Sequence, residues 1–333
     1  MTADARIPLT IVTGFLGSGK TTLLREILAR PEMADTLILM NEVAEIGIDD
    51  RLLRQLTDDT VLLDNGCVCC SVRDDLKRVL LEIAEVPPGG RMPLRIVLET
   101  TGLADPRAFL ATVVGTPVIG RNIRLNGVLT LVDSVNARRN LADFPEFTGQ
   151  LTVADHVLLT KADLVPPEQL VGVQAIVRNL NPAAEVTDWN GIDRLCGYLN
   201  GGSQSGALLK LTGTSVAHHA DHHHRHADAH SFCITLREAC DWSRFAIWLS
   251  MFVHAHGEDI LRIKGILYLE NATPVVINCV QHLVYFPEHL PSWPGGEHMS
   301  VLVFIVRNIT QDAVMRSLNE FLARTPVLDP AHL

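Results

Sequence analysis

Through the first two hundred positions, apolar residues come in short runs of strand length separated by stretches with helical spacing. The runs predict strands at Ile7–Val12, Thr36–Met40, Thr60–Leu63, Arg95–Leu98, Gly127–Val132 and His156–Leu159. Helical periodicity marks Lys20–Leu28, Asp74–Ile83 and Glu168–Leu180 between them. Nearly continuous apolar strands alternating with helices predict a mostly parallel sheet covered on both faces, a doubly wound α/β domain.

Near Asn200 this pattern stops. Gly201–Gly206 is rich in Gly and Ser, Ala207–Leu211 is a short apolar stretch, and seven of the fourteen histidines fall between His218 and His230. A segment of that composition cannot bury enough apolar surface to fold alone, so it reads as a flexible linker. From Ser231 the order changes to strand (Ser231–Leu236), amphipathic helix (Trp242–His254), strands (Ile263–Leu269, Val275–Cys279, Leu283–Phe286, Ser300–Val306) and a last helix from Gln311 to Ala323. Strands clustered between two helices predict a small α+β domain. The expected organisation is a domain over 1–200, a linker over 201–230 and a second domain over 231–333.

Charge and leader sequence narrow the partners. A formal charge of -10 argues against nucleic acid and anionic membranes, both of which need a basic surface. The start, MTADARIPLTIVTG, lacks the basic and apolar regions of a signal peptide, and no apolar run reaches bilayer length. Seven cysteines is an odd number, and Cys67, Cys69 and Cys70 stand too close together for structural disulfides. A reducing, cytoplasmic setting is expected, with metal or redox chemistry at the triplet.

The chemistry begins at Gly14-Phe15-Leu16-Gly17-Ser18-Gly19-Lys20-Thr21, which matches G-x-x-x-x-G-K-[ST] between a predicted strand and a predicted helix. The glycines let backbone N–H groups turn inward around phosphates, and the helix N-terminus adds positive potential. Lys20 is expected to reach the β- and γ-phosphates, and the Thr21 hydroxyl to ligate Mg²⁺. A match of this kind arises by chance in a chain of this length about once in a hundred.

Such a loop needs a second acid at a neighbouring strand end to hold Mg²⁺. Glu99 closes the run Arg95–Leu98 and is followed by Gly102, whose backbone N–H could approach the γ-phosphate; Asp133, after Gly127–Val132, competes for the same task. Thr160-Lys161-Ala162-Asp163 resembles the N-K-x-D signature of guanine-binding proteins, with Thr in the Asn position. A carboxylate at Asp163 would accept from N1–H and the exocyclic amine of guanine, whereas adenine would turn a lone pair toward it. Lys161 would lie along the base plane.

Asn65-Gly66-Cys67-Val68-Cys69-Cys70 precedes a predicted helix. Thiolates are soft ligands for Zn²⁺ or Cu(I), and three of them leave a coordination position open, which suits an ion that must be released. Glu42 and Glu45, in the acidic stretch Asn41–Asp50, are candidate fourth ligands. Cys196, Cys233, Cys240 and Cys279 are scattered and read as core. The histidine-rich tract can bind or buffer Zn, Co or Ni without fixed geometry, and it reads equally as a solvated linker with incidental metal affinity.

Taken in order, GFLGSGKTT, N-E-x-x-E-x-G-I-D-D, G-C-V-C-C, E-T-T-G-L-A-D-P and T-K-A-D make the chain resemble the CobW-type GTPases. These are metallochaperone GTPases, grouped with the urease and hydrogenase nickel-insertion proteins. The resemblance extends to the second half through Arg262-Ile263-Lys264-Gly265-Ile266-Leu267. It implies GTP hydrolysis and transfer of zinc or cobalt to a client protein. It assigns Gly17, Gly19, Lys20, Thr21 and Thr22 to phosphates and Mg²⁺, Glu99 to magnesium, Lys161 and Asp163 to the base, and Cys67, Cys69 and Cys70 to the metal. Two departures stand out: Val43-Ala44 where such proteins carry Phe-Gly, and Thr160 itself. The chain is expected to act as a monomer or weak homo-oligomer. A P-loop ATPase or kinase with structural or redox cysteines, or a metal store using the histidines, are the competing readings.

Overall fold

The computed structural model describes residues 4–40, 60–62, 71–86, 92–201, 229–270, 273–293 and 297–323. They divide between two compact units, with 4–201 in the first and 229–323 in the second.

The first unit is built on β1 (Ile7–Gly14), β2 (Thr36–Met40), β3 (Thr60–Leu62), β4 (Arg95–Glu99), β5 (Ile123–Asp133), β6 (His156–Thr160) and β7 (Glu185–Asp188). They form one seven-stranded sheet in the order β3-β2-β4-β1-β5-β6-β7, and every pairing is parallel. Leu9, Ile11, Leu39, Ile96, Leu98, Leu129, Leu131, Val157 and Leu159 are all fully enclosed. Such two-faced apolarity suits strands covered by helices on both sides. The helices are α1 (Lys20–Leu28), α2 (Ser71–Ala84), α3 (Pro106–Val114), α4 (Ile119–Asn122), α5 (Ala137–Asp143), α6 (Pro145–Thr152), α7 (Pro167–Leu180) and α8 (Ile192–Leu199). Local chemistry sets their starts: Asp105 accepts from the Arg107 backbone N–H at 3.0 Å and Pro106 opens α3.

Strand order places the ligand side. β1 is central; the chain first builds outward through β2 and β3, returns to β4 beside β1, then crosses to β5 on the other flank. That reversal leaves a crevice outside the carboxyl ends of β4, β1 and β5, the switch point where open α/β sheets bind ligands. The P-loop, Glu99, Asp133 and Thr160 all sit along this edge.

The observed strands differ from expectation in instructive places. β5 begins at Ile123, and Asn126 is an extra residue between Leu125, opposite Leu9, and Gly127, opposite Thr10. Its amide donates to Thr10 Oγ1 and the Tyr198 carbonyl, which fastens the end of α8 to the sheet. β7 is only half-buried, so its sequence, EVTD, carries no apolar run.

In the second unit, β8 (His230–Leu236), β9 (Ile260–Leu267), β10 (Val275–Val280), β11 (Leu283–Val284), β12 (Glu288–His289) and β13 (Ser300–Val306) form an antiparallel sheet. Of the predicted strand Leu283–Phe286 the first two residues form β11, the Tyr285 N–H still reaches the Asn278 carbonyl, and Phe286 stands exposed. α9 (Trp242–His256) and α10 (Gln311–Ala323) cover one face. There Phe232 stacks on Phe304 and Trp248 on Phe252, while Trp248 Nε1 donates to Ser317 Oγ at 3.0 Å, so the indole's one polar atom is satisfied. Among the described residues no helix is long and apolar enough to cross a membrane.

Phe304 is fully enclosed in this core. Phe304→Ala is expected to destabilise the second unit by about 3–5 kcal/mol, read as a lower midpoint in denaturant-induced unfolding.

Candidate nucleotide site

The turn after β1 is set by its glycines. Gly17 and Gly19 have φ of 71° and 94°, a region costly for residues with a side chain. Gly19 caps α1, whose first backbone bond runs from the Leu23 N–H to the Gly19 carbonyl. Ser18 N–H closes the turn onto the Phe15 carbonyl at 3.1 Å. Phe15 in turn is buried against Phe144 and Phe147, which anchors the loop from beneath. Lys20 Nζ donates to the Gly14 carbonyl at 2.8 Å, so its ammonium lies at the loop rather than out in solvent. Thr21 is half-buried in the first turn of α1, and Thr22 is exposed.

Glu99 ends β4 opposite Val12 of β1 and Met40 of β2, 7% exposed. Beyond it, Thr100 Oγ1 bonds Thr13 Oγ1 at 2.8 Å and the Thr100 N–H donates to the Val12 carbonyl, tying this segment to β1. Gly102 then comes so near the P-loop that a Cβ on it would lie 2.8 Å from Leu16 N and 2.9 Å from Leu16 Cα. Only glycine fits there without moving backbone. From behind, the fully buried Gln150 of α6 donates to the carbonyls of Gly102 and Ala104 at 3.1 and 3.3 Å. No motif marks Gln150, because its partners are main-chain atoms far away in sequence.

At the end of β6, Thr160 Oγ1 donates to the Ser18 carbonyl at 2.8 Å. The hydroxyl therefore bridges the predicted base-reading segment to the P-loop, a bond that accounts physically for a short hydroxylated residue at this position. Lys161 adopts left-handed backbone angles (φ 53°) and its ammonium lies 2.7 Å from Asp133 Oδ2. Asp163 is exposed in a short 3₁₀ turn, Ala162–Leu164.

Gly14, Gly17, Ser18, Gly19, Lys20, Thr21, Thr22, Glu99, Gly102, Thr160, Lys161 and Asp163 thus share one edge of the sheet. Cys67, Cys69, Cys70, Glu42, Glu45 and positions 202–228 lie outside the described residues. Among the described residues no cluster of three or more His, Cys, Asp or Glu could hold a metal ion.

A family model of the CobW/HypB/UreG nucleotide-binding domain matches residues 8–188, and one of the cobalamin synthesis protein cobW C-terminal domain matches 229–322. The chain belongs to the CobW/HypB/UreG family. Zinc chaperone YjiA of Escherichia coli (strain K12) is 30% identical over 315 residues, 92% of this chain and 96% of that one. Zinc-regulated GTPase metalloprotein activator 1 of Schizosaccharomyces pombe is 29% identical, covering 83% and 76% of the two chains. A crystal structure of Zn(II)-bound YjiA GTPase from E. coli superposes with a TM-score of 0.67 at 25% identity, over 96% of this chain and 99% of that one.

Within this CobW-family fold the scattered cysteines join no cluster of candidate metal ligands among the described residues. Burial pushes the thiols of Cys196, Cys233 and Cys240 up, and that of fully enclosed Cys279 to about 12, which keeps them protonated near neutral pH. Asp133 goes the other way. Burial alone would raise its pKa, but Lys161, Asn136 and the Val135 N–H outweigh it and hold the carboxyl below its usual range. Asp133, the competing magnesium acid in the sequence, is therefore already engaged by donors from its own chain.

Gly102→Ala is expected to slow GTP turnover about 100-fold through displaced backbone at Leu16. GDP affinity is expected to change less than about threefold, with single-turnover hydrolysis and equilibrium binding as the measurements.

Proposed function

We propose that this chain hydrolyses GTP at the sheet edge described above and uses the nucleotide state to control delivery of a transition-metal ion, zinc in the first place and cobalt as the alternative, to a client protein. The observation that carries this reading is the contact of Gly102 with the P-loop at Leu16. It puts the segment that follows Glu99 beside the phosphate-binding turn, so a change at the terminal phosphate is felt along β4. Met40, the last residue of β2, pairs with Glu99, and the chain runs on from it toward Glu42 and Glu45.

In this reading the turn formed by Gly14, Gly17, Ser18 and Gly19 surrounds the phosphates, with Lys20 as counter-ion and Thr22 beside them. Thr21 and Glu99 present hard oxygen donors, the ligand type Mg²⁺ prefers, so the residues present fit that ion. Bound there, Mg²⁺ supplies charge neutralisation for the leaving and transferring phosphates. The Gly102 N–H faces the γ-phosphate, Asp163 accepts from guanine, and Thr160 and Lys161 hold the base segment in place.

The transported ion is a cargo rather than a resident cofactor. Thiolates at Cys67, Cys69 and Cys70, with Glu42 or Glu45 completing the set, supply soft ligands with an exchangeable fourth position. Relatives named as zinc chaperones and a zinc-regulated GTPase support zinc as that cargo. Coupling requires that the ion bind with different affinity in the two nucleotide states.

Zinc affinity measured with a non-hydrolysable GTP analogue and with GDP is expected to differ at least about fivefold; equal affinities would defeat the transfer mechanism. Asp163→Asn is expected to reduce the preference for GDP over ADP by about 10- to 100-fold, as read by competition binding. Retention of the preference would show that Asp163 does not read the base, whereas a wild-type protein with no preference for GDP would favour an ATPase or kinase reading.

A further inference from the structure

Asp133 is the buried carboxylate on the nucleotide edge to which the functional reading gives no task. It ends β5 directly opposite Thr160 of β6, and its side chain is 4% exposed. Four donors converge on it: Lys161 Nζ at 2.7 Å and Asn136 Nδ2 at 2.9 Å on Oδ2, with the backbone N–H groups of Val135 at 2.9 Å and Asn136 at 3.4 Å on Oδ1. An ionised carboxylate offers about four lone-pair sites. Those of Asp133 are spoken for by the chain itself, which fixes its plane and orientation.

Lys161 is arranged to meet it. The residue holds φ 53° and ψ 29°, angles uncommon for a side chain of this size, and they turn the chain at the end of β6. With its charge neutralised at 2.7 Å, the ammonium is a weak counter-ion for phosphate. What remains to offer a ligand is the four-carbon stem, an apolar strip whose far end is tethered.

We propose that Asp133 is a positioning residue for the nucleobase: by tethering the Lys161 ammonium to the end of β5, it stretches the lysine stem into a fixed wall for the base beside Asp163. This rests on the reading of Thr160–Asp163 as the base segment. A lysine stem free to rotate would lose that freedom on each binding event. One already held loses less, and affinity rises accordingly. The role is separate from magnesium binding, which the two candidate acids could otherwise share.

The test compares GDP with inorganic tripolyphosphate, which occupies only the phosphate-binding part of the site. In Asp133→Asn, the Kd for GDP is expected to rise about tenfold, while that for tripolyphosphate and the Mg²⁺ concentration for half-maximal GTP hydrolysis stay as in the wild type. Lys161→Met keeps a stem but loses the tether. Alone it is expected to weaken GDP to a similar extent, and adding Asp133→Asn to it should cost nothing further. The Lys161→Met comparison decides the matter by itself should Asp133→Asn fail to fold. Unchanged GDP affinity in these variants, a parallel loss of tripolyphosphate binding, or a shifted Mg²⁺ requirement would each overturn the proposal. Equal affinity of the wild-type protein for GDP and ADP is a different failure, since it removes the base segment reading itself.

Discussion

Backbone meets backbone where Gly102 passes the phosphate loop at Leu16, and a single methyl group cannot be inserted between them. Much of the first unit can be understood as the means of keeping that approach. From one side Phe15 roots the loop among Phe144 and Phe147; from the other, Gln150 draws the Gly102 and Ala104 carbonyls toward α6. Thr100 and Thr13 join the two strands that feed these segments through a buried pair of hydroxyls. Packed interiors deform poorly, so a displacement on one side of such a contact is passed to the other rather than absorbed.

The same edge is also braced laterally. Thr160 binds the Ser18 carbonyl and Lys161 binds Asp133, so side chains at the end of β6 reach the P-loop and add to the backbone ladder with β5. The P-loop after β1 and the Thr160–Asp163 segment after β6 are thereby mounted two strand positions apart, with β5 between them, on one sheet rather than on independent loops. A ligand that satisfies both meets a spacing fixed by strand separation, about 4.8 Å per step.

What could be read from the chain alone follows from how local each signal is. The P-loop is written in consecutive residues whose conformational needs are intrinsic, so glycine spacing was enough to place it. Strands such as Arg95–Glu99 are apolar between their charged ends because both faces are covered, and that too is local. β7 escaped because EVTD at the sheet's end is half-buried and carries no run. The first part of β5 escaped because the polar Asn126 sits in it as an extra residue. Gln150 and Asp133 show the harder limit. A buried glutamine serving distant carbonyls looks like any helical glutamine, and an aspartate at a strand end reads the same whether it faces a magnesium ion or a lysine. Only the register Asp133 opposite Thr160 separates the two.

The four scattered cysteines have a bearing on cargo economy. A carrier holding a soft ion gains nothing from additional sulfur ligands of its own, since each would act as a competing sink and blur the loading stoichiometry. By lodging Cys196, Cys233, Cys240 and Cys279 where burial favours the neutral thiol, the fold withdraws them from that competition. In the proposed metal-delivery reading, exchange with a client would then depend on the affinity of one cysteine triplet and not on the sulfur content of the whole polypeptide.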